Sequence, residues 1–460
     1  MALVESFSGI RGVFGKDLTG NIARRYAYVY HQYLTEKLQK TPQIVVGTDT
    51  RESATMLKEA IFDSLFDIID VGVMTTPGIE FAVRELKADG GIIVTASHNE
   101  PEFNGLKFLG DDGGILQESQ AIIDRYHAIE NLSEEDFLNT LLYKDTEPGR
   151  VKHIMNVDIK SRYFDFLLKI IGSKAIGLIR SAGLSVVLDP VGGTAIIARD
   201  ILKNLNVKVK CLNCKEGDFT REIDPSGDAI EYLTNEVGNY NFAAAFDLDG
   251  DRMAIATKEG TISGNQILAL LVEDVISQKK GTIVINDATS QVVNAVAAEH
   301  KVDIKEVEVG EANVVKTMYD LNSPIGGEGS SAGAIYPPSR CRDGILSLLF
   351  ILKILAENQK TLQQLVAALP IYHNIKKALP FDPSKNDEIK EKLKKHYRQH
   401  KMQETGGSTG GLKVVIDKHT YVWFRASKTE GNLFRIIVDS DDKEKAHRLM
   451  TQAVEFFQSL

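Results

Sequence analysis

The 460-residue sequence has three cysteines, too few and too odd in number for a disulfide framework. It has no apolar run of the ~18 to 20 residues that a membrane-spanning helix needs. The best stretch, Ile345 to Leu355, is interrupted by Ser347 and Lys353. The opening Met1-Ala2-Leu3-Val4-Glu5 lacks a basic segment followed by an apolar one, so no secretory signal is expected. Positive charge is not in excess either: 54 Lys and Arg stand against 63 Asp and Glu, a formal net charge of −9. That field argues against a broad nonspecific nucleic-acid surface, although a few placed arginines, lysines and backbone amides can still build a phosphate pocket. Membrane, secreted and collagen-like classes fall away. The expectation is a soluble, cytoplasmic protein of a reducing compartment.

What is present is ordinary globular material, with 43% hydrophobic and 25% charged residues. At ~150 residues per domain the length suggests about three domains, or four if some are small. Three times the chain runs from a short apolar strand through an Asp-containing turn into a helix and a second strand. The first instance is Ile44-Val45-Val46 with Gly47-Thr48-Asp49-Thr50, a helix to about Phe66, then Ile68 to Val73. The second is Val186-Val187-Leu188 with Asp189-Pro190, a helix to about Leu205, then Val207 to Leu212. The third is Ile283-Val284-Ile285 with Asn286-Asp287, a helix to about His300, then Val302 to Val309. Such alternation predicts α/β units with mainly parallel sheets. Each unit is followed by a polar loop: Thr95 to Asn99, Asp247 to Arg252, and Gly326 to Ser330. In α/β proteins the carboxyl ends of strands are where ligands sit.

The last ninety or so residues read differently. Asn386 to His400 predicts a helix with one apolar stripe, Leu412–Ile416, Tyr421–Ala426 and Phe434–Val438 predict short strands, and Lys443 to Gln458 a closing helix. Gln403 to Gly411, rich in glycine, reads as a flexible connection.

Asp247-Leu248-Asp249-Gly250-Asp251 follows the apolar Ala243-Ala244-Ala245-Phe246. Three alternate carboxylates at a strand end can converge on one hard cation, and crowding like charges is costly unless a cation neutralises them. A solvated acidic turn is the alternative. A calcium loop is excluded because its twelfth position, which needs Glu, is Lys258. Ser97 and His98 are adjacent, so on an extended chain they face opposite ways, and no Gly-x-Ser-x-Gly elbow surrounds them. By itself that stretch reads as a capped turn as readily as an active site. Arg425-Ala426-Ser427-Lys428-Thr429, with Arg435 beyond, places cations and hydroxyls at a density that suits phosphate oxygens, the alternative being a charged surface hairpin. Ser8-Gly9-Ile10-Arg11-Gly12 is a weaker version of the same kind. Cys211 and Cys214 have no second pair or nearby histidines for zinc, and read as reduced structural thiols.

Together and in this order, the loops resemble the α-D-phosphohexomutase superfamily, which includes phosphoglucosamine mutases, phosphomannomutases and phosphoglucomutases. Thr95 to Lys107, TASHNEPEFNGLK, looks like its phosphoserine loop, and DLDGDR at Asp247 to Arg252 like its metal loop. Gly327 to Ser331 looks like the sugar loop and Arg425 to Arg435 like the C-terminal phosphate loop. The resemblance implies three similar mixed α/β domains, with mainly parallel sheets, and a smaller C-terminal α+β domain around a central cleft. Boundaries are expected near 1–150, 151–255, 256–369 and 370–460.

It also implies roles. Ser97 would carry the phosphoryl group and, with Asp247, Asp249 and Asp251, ligate Mg2+. His98 would help place that phosphate, Lys107 would assist proton movement, and Arg11 and Arg252 would contact phosphate. Glu328 and Ser330 would hold sugar hydroxyls. Arg425, Ser427 and Thr429 would hold the phosphate not undergoing transfer, with Lys428 and Arg435 as further cations there. The implied activity moves phosphate between O1 and O6 of a hexose or hexosamine phosphate, with a hexose 1,6-bisphosphate as intermediate and activator. The implied partner is a small sugar phosphate, not a nucleic acid or membrane; monomer and homodimer are both open. A metal-dependent sugar phosphatase with Asp247 as nucleophile and a non-catalytic sugar-phosphate binder are the competing readings. Three departures from the family pattern stand out: Glu100 in place of a proline, a sugar loop without histidine, and the added cation Lys428.

Overall fold

Four separate β-sheets organise the chain in the computed structural model, which describes residues 3–65, 67–144, 152–329, 333–407, 410–427 and 432–460. The chain divides into two compact units. One comprises Met1–Thr261 with Pro338–Gln359, the other Ile262–Pro337 with Lys360–Leu460.

The repeat read from the sequence is a repeat of topology. In the first unit, strands Gln43–Thr48, Asp67–Val73, Gly90–Val94 and Phe103–Leu109 lie side by side in the order fourth, third, first, second. The first strand pairs parallel with the second and third, and the third pairs antiparallel with the fourth. Strands Ser185–Asp189, Lys208–Cys211, Phe242–Phe246 and Met253–Thr257 repeat that order and those directions. So, in the second unit, do Ile283–Asn286, Ile304–Val307, Gly326–Glu328 and Gly333–Ile335. A parallel pair needs a crossover, and the helices Ala54–Phe62, Ala198–Asn204 and Gln291–Glu299 supply it. The loops Thr95 to Asn99 and Asp247 to Arg252 therefore follow the third strand of their repeats, at the carboxyl end of a buried strand. The expected loop Gly326 to Ser330 is corrected at its start, because Gly326–Glu328 is the third strand itself, and Ser330 lies outside the described residues. The first helix ends at Phe62 rather than near Phe66, which lies outside the described residues.

The first sheet is widened by Val4–Ser6 and Gly9–Val13 beside Phe103–Leu109, and by His153–Asn156 beside Asp67–Val73. Its core packs Tyr26, Tyr30, Ile44, Val46, Ile92, Val94 and Phe108, drawn from helix Gly20–Leu38 and the strands. The helix Gly344–Asn358 holds the apolar stretch flagged above. It is buried along nearly its whole length, and no described helix is long and apolar enough to cross a membrane.

The fourth sheet is wholly antiparallel, in the order His373–Pro380, Leu433–Ser440, Thr420–Ala426, Leu412–Asp417, Lys401–Glu404. Helix Lys443–Gln458 packs on it, with Met450 and Phe457 joining Leu412, Val422, Phe424 and Ile436 in one cluster. The sequence reading missed both edge strands. Each lies at a sheet border with mostly polar, partly exposed side chains, so neither carries an apolar alternation. Lys401–Glu404 also corrects the expected connection over Gln403 to Gly411, since its first two residues are paired strand.

A second correction concerns the thiols. Cys211 and Cys214 are joined as a disulfide, with Cα atoms 5.9 Å apart, and are not the reduced pair expected. The strand ends at Cys211, and Asn213 adopts a left-handed conformation (φ 49°) that turns the chain back and brings the sulfurs together.

Candidate active site

In the first unit the Thr95–Asn99 loop and the three-aspartate loop meet. Ser97 Oγ donates to Asp247 Oδ2 at 3.1 Å, although the residues are 150 positions apart, and Ser97 is 2% exposed. Ser97 has a positive φ of 52°, a sparsely populated conformation for a non-glycine residue. It is held by its surroundings. The Ser97 backbone N–H donates to Thr95 Oγ1 at 2.9 Å, and that hydroxyl donates to Asp49 Oδ2 at 2.6 Å. Arg51, fully buried against Asp49, donates to the carbonyl oxygens of Ser97, Asn99 and Glu100 at 2.9, 2.6 and 2.6 Å. A guanidinium's planar fork of donors suits three carbonyls from one turn.

Oxygens of Asp247, Asp249 and Asp251 all lie within 4.8 Å of one another, and all three side chains are buried. The alternation of the sequence survives because Gly250 takes φ 70° between them, where a Cβ would press on Thr75. Asp249 Oδ2 accepts from Lys107 Nζ at 2.9 Å and from Thr76 Oγ1 at 2.7 Å. Thr76 opens the helix Thr76–Glu85, so the positive end of that helix adds to the field on the carboxylate. Asp251 Oδ2 accepts from Arg342 at 2.8 Å, and Asp247 Oδ1 accepts the Arg252 backbone N–H at 3.0 Å. One oxygen on Asp249 and one on Asp251 are left without a hydrogen-bond donor. Buried carboxylate oxygens without donors, converging within coordination range of each other, fit an oxygen-liganded divalent cation.

Charge organises the site. Burial, then Asp251 and Asp249, push the Asp247 carboxyl well above its ordinary range. Burial acts the same way on Asp249, but Lys107, Thr76 and Ser97 more than offset it and hold that carboxyl below the usual range. Arg252 pairs with Asp224 at 3.1 Å and reaches Asp247 at 3.7 Å. Arg11 is half-buried, donates to Asn99 Oδ1 at 3.3 Å, and feels Asp249 and Asp251. Burial, with Arg252, Arg11 and Arg342 around it, pushes His98 far below its ordinary range, so its imidazole is neutral. Lys107, Arg11, Arg252 and Arg342 thus surround three aspartates. A bound phosphoserine of roughly −2 and a divalent cation would leave that balance unchanged.

In the second unit, Glu328 Oε1 accepts from Asn286 Nδ2 at 2.9 Å and from the Gly310 N–H at 2.8 Å. Arg425 pairs with Glu308 at 3.2 Å and is 8% exposed; burial pulls its pKa down while Glu308, Asp287 and Glu328 oppose the shift. Arg425 and Arg435 are directly opposite on neighbouring antiparallel strands. Like charges in that position repel unless an anion lies between them. The Ser427 N–H donates to the Leu433 carbonyl and closes this hairpin at 2.8 Å. Ser330, Lys428 and Thr429 lie outside the described residues.

Sequence reasoning missed Arg51, Thr76 and Arg342. Thr76 and Arg342 carry no local signature; they matter only through contacts with Asp249 and Asp251. The signal for Arg51 was there in Asp49, the acid that follows the first strand of the repeat.

Three copies of one α/β fold, with a buried serine beside an acidic triad and a ring of cations, define a class of multidomain α/β proteins with a candidate metal site, and comparison with known families narrows it. Residues 5–133, 161–260 and 263–372 match phosphoglucomutase/phosphomannomutase α/β/α domains I, II and III. The chain belongs to the α-D-phosphohexomutase superfamily. It is thereby an isomerase, a phosphohexomutase. It is 28% identical over 463 residues to a phosphoglucomutase/phosphomannomutase of Thermococcus kodakarensis, covering 98% of this chain and 97% of that one. It is 30% identical to a phosphoglucosamine mutase of Caldicellulosiruptor saccharolyticus over 80% of this chain and 81% of that one. A phosphoglucomutase/phosphomannomutase family protein of Burkholderia thailandensis has the same fold, with a TM-score of 0.80 at 22% identity over 99% and 98% of the two chains.

Proposed function

We propose that the protein moves a phosphoryl group between O1 and O6 of a hexose or hexosamine phosphate, through phosphorylated Ser97 and a 1,6-bisphosphate. The observation that carries this reading is Ser97 Oγ, 3.1 Å from Asp247 in the turn that Arg51 clamps. In the forward half-reaction the phosphorus–Oγ bond breaks and a phosphorus–oxygen bond to the free sugar hydroxyl forms. The hydroxyl proton leaves and Oγ takes one up. Lys107, bonded to Asp249 and Thr76, is the buried cation placed to relay that proton and to offset charge on the transferring group. The bisphosphate then turns over, and its other phosphoryl group returns to Ser97. Phosphoryl transfer is mainly positioning and electrostatic stabilisation, and Arg11, Arg252 and neutral His98 supply both.

Asp247, Asp249, Asp251 and the Ser97 phosphate would hold Mg2+, which when bound neutralises negative charge on that phosphate. Glu328 and Ser330 would receive sugar hydroxyls. Arg425, Ser427, Lys428, Thr429 and Arg435 would hold the phosphate that is not reacting. The working division is 1–150, 151–255, 256–369 and 370–460, each domain contributing one of these loops.

Peptide mapping of the purified protein tests the reading. Phosphate on Ser97, lost together with mutase turnover in Ser97→Ala, is the expected result. Phosphate trapped on Asp247, or full turnover in Ser97→Ala, would replace it with phosphatase-type chemistry.

A further inference from the structure

The carbonyl groups on either side of Asp247 are both held from behind, by residues around the first strand of the second repeat. The Phe246 oxygen accepts from Arg221 at 2.7 Å, and Arg221 donates through Nε to Asp189 at 3.2 Å. The Leu248 oxygen accepts the Thr194 N–H at 2.9 Å and the Thr194 hydroxyl at 3.0 Å. Asp189 Oδ1 accepts the Val191 N–H at 2.9 Å, just as Asp49 Oδ1 accepts the Arg51 N–H at 3.0 Å. The second repeat thus grips its aspartate loop as the first grips the Ser97 turn.

The grip runs through a strained turn. Val191 has φ 48°, which a β-branched residue rarely adopts, and it is fully buried in a cluster with Leu248 and Ile223. Such a conformation persists only where the surroundings over-determine it. Here the disulfide segment supplies the surroundings. Asn213 donates from Nδ2 to Asp189 Oδ2 at 3.1 Å, and its carbonyl oxygen accepts the Gly192 N–H at 2.7 Å. Asn213 is itself left-handed, and the bond between Cys211 and Cys214 closes the turn around it. Both cysteines are half-buried, not sealed in a core, which leaves a thiol a route to them.

We infer that Cys211–Cys214 is a redox site that exchanges with dithiols, and that its disulfide form fixes the geometry of the aspartate loop. In the exchange a thiolate of the dithiol attacks one sulfur, the Cys211–Cys214 bond breaks, and a mixed disulfide forms. The second thiolate of the dithiol then displaces the cysteine. Two electrons and two protons pass to Cys211 and Cys214, which become thiols, while the dithiol becomes a disulfide. Without the cross-link the turn at Asn213 opens, Val191 relaxes, and the bonds to the Phe246 and Leu248 carbonyls loosen. The inference rests on the metal reading of Asp247, Asp249 and Asp251, but on neither Ser97 phosphorylation nor the sugar.

The full chain is compared after treatment with oxidised glutathione and after treatment with dithiothreitol, each reagent being removed before measurement. Alkylation of the unfolded chain and mass mapping should find a free thiol on Cys341 alone in the first case and on all three cysteines in the second. Calorimetry should give a Mg2+ affinity at least about tenfold lower for the reduced chain, the size typical when an outer partner of metal ligands is lost. Hydrogen exchange of the metal-free chain should be faster over Asp247 to Arg252 in the reduced form. Reoxidation should restore both values, and these comparisons need no variant to fold. Cys211→Ser with Cys214→Ser should match the reduced chain and ignore dithiothreitol. Three free thiols after the oxidant overturn the inference, as do equal Mg2+ affinities or equal exchange in the two states. A response to dithiothreitol in the double variant also overturns it, because the effect then belongs to Cys341. Failure to bind Mg2+ in either state counts against the metal reading instead, and the exchange comparison alone then decides the inference.

Discussion

Arg51 donates to the carbonyl oxygen of Ser97 at 2.9 Å, so the residue proposed to carry phosphate is fixed from behind by a cation 46 positions earlier in the chain. The same guanidinium binds the next two carbonyls but one, and its own charge is balanced by Asp49. The left-handed backbone at Ser97 persists because these bonds hold it.

Arg51→Lys keeps the charge but loses the fork. Each lost charge-assisted bond is worth ~1.5 to 3 kcal/mol, so turnover should fall about ten- to a hundredfold through misplacement of Oγ. Steady-state rates and the phosphate content of Ser97 are the measurements. Unchanged values in both would mean the turn holds its shape without Arg51.

Asp249→Asn removes a candidate metal ligand and the carboxylate partner of Lys107. Even outer partners of metal ligands typically cost ~10 to 100-fold in affinity when lost, and a ligand itself should cost at least as much. Titration of the variant with Mg2+ should show that loss, and urea unfolding of the metal-free protein should show a destabilisation as well, because the buried Lys107–Asp249 pair is broken. Wild-type Mg2+ affinity would remove the aspartate loop as the metal site.

Arg425→Ala should raise the Michaelis constant for the monophosphate about ten- to a hundredfold and release more bisphosphate into solution. It also leaves Glu308 without its partner, so Arg425→Lys is the useful companion. A recovery of most of the affinity by lysine would point to charge, and no recovery to the geometry of the fork. Normal kinetics in Arg425→Ala would make the hairpin a charged surface feature.

Asp343 gives a pH test independent of the chemistry. It caps the helix Gly344–Asn358 by accepting the Leu346 N–H at 2.9 Å, and it accepts the Tyr163 hydroxyl at 2.7 Å. Burial pushes its carboxyl up from 3.8 to about 6. Between those values the folded chain holds a proton the unfolded chain has released, so stability falls as pH rises from 3.8 to about 6 and levels off above. The contribution lost is about 3 kcal/mol at ~1.4 kcal/mol per pH unit. Asparagine keeps the capping oxygen. Urea unfolding of Asp343→Asn across that range should lack this fall, and a wild-type slope in the variant would assign the effect to another group.

Local order in the chain was enough for the repeat and for the loops. Short apolar strands followed by helices left only parallel crossovers, and Asp247, Asp249 and Asp251 reveal a metal-ligating pattern because their convergence is made by a single turn around Gly250. Ser97, His98 and Lys107 belong to one hairpin, but the sequence pattern there reads as a capped turn as readily as an active site, and their roles entered only through the family resemblance. What the tertiary structure alone decided is who faces them. Ser97 meets Asp247 across 150 residues, Lys107 meets Asp249 across 142, and Arg342 meets Asp251 across 91. None of these spacings has a period that a sequence pattern can carry, because each depends on packing between separate repeats. The disulfide belongs to the same category. Cys211 and Cys214 pair because Asn213 reverses the backbone.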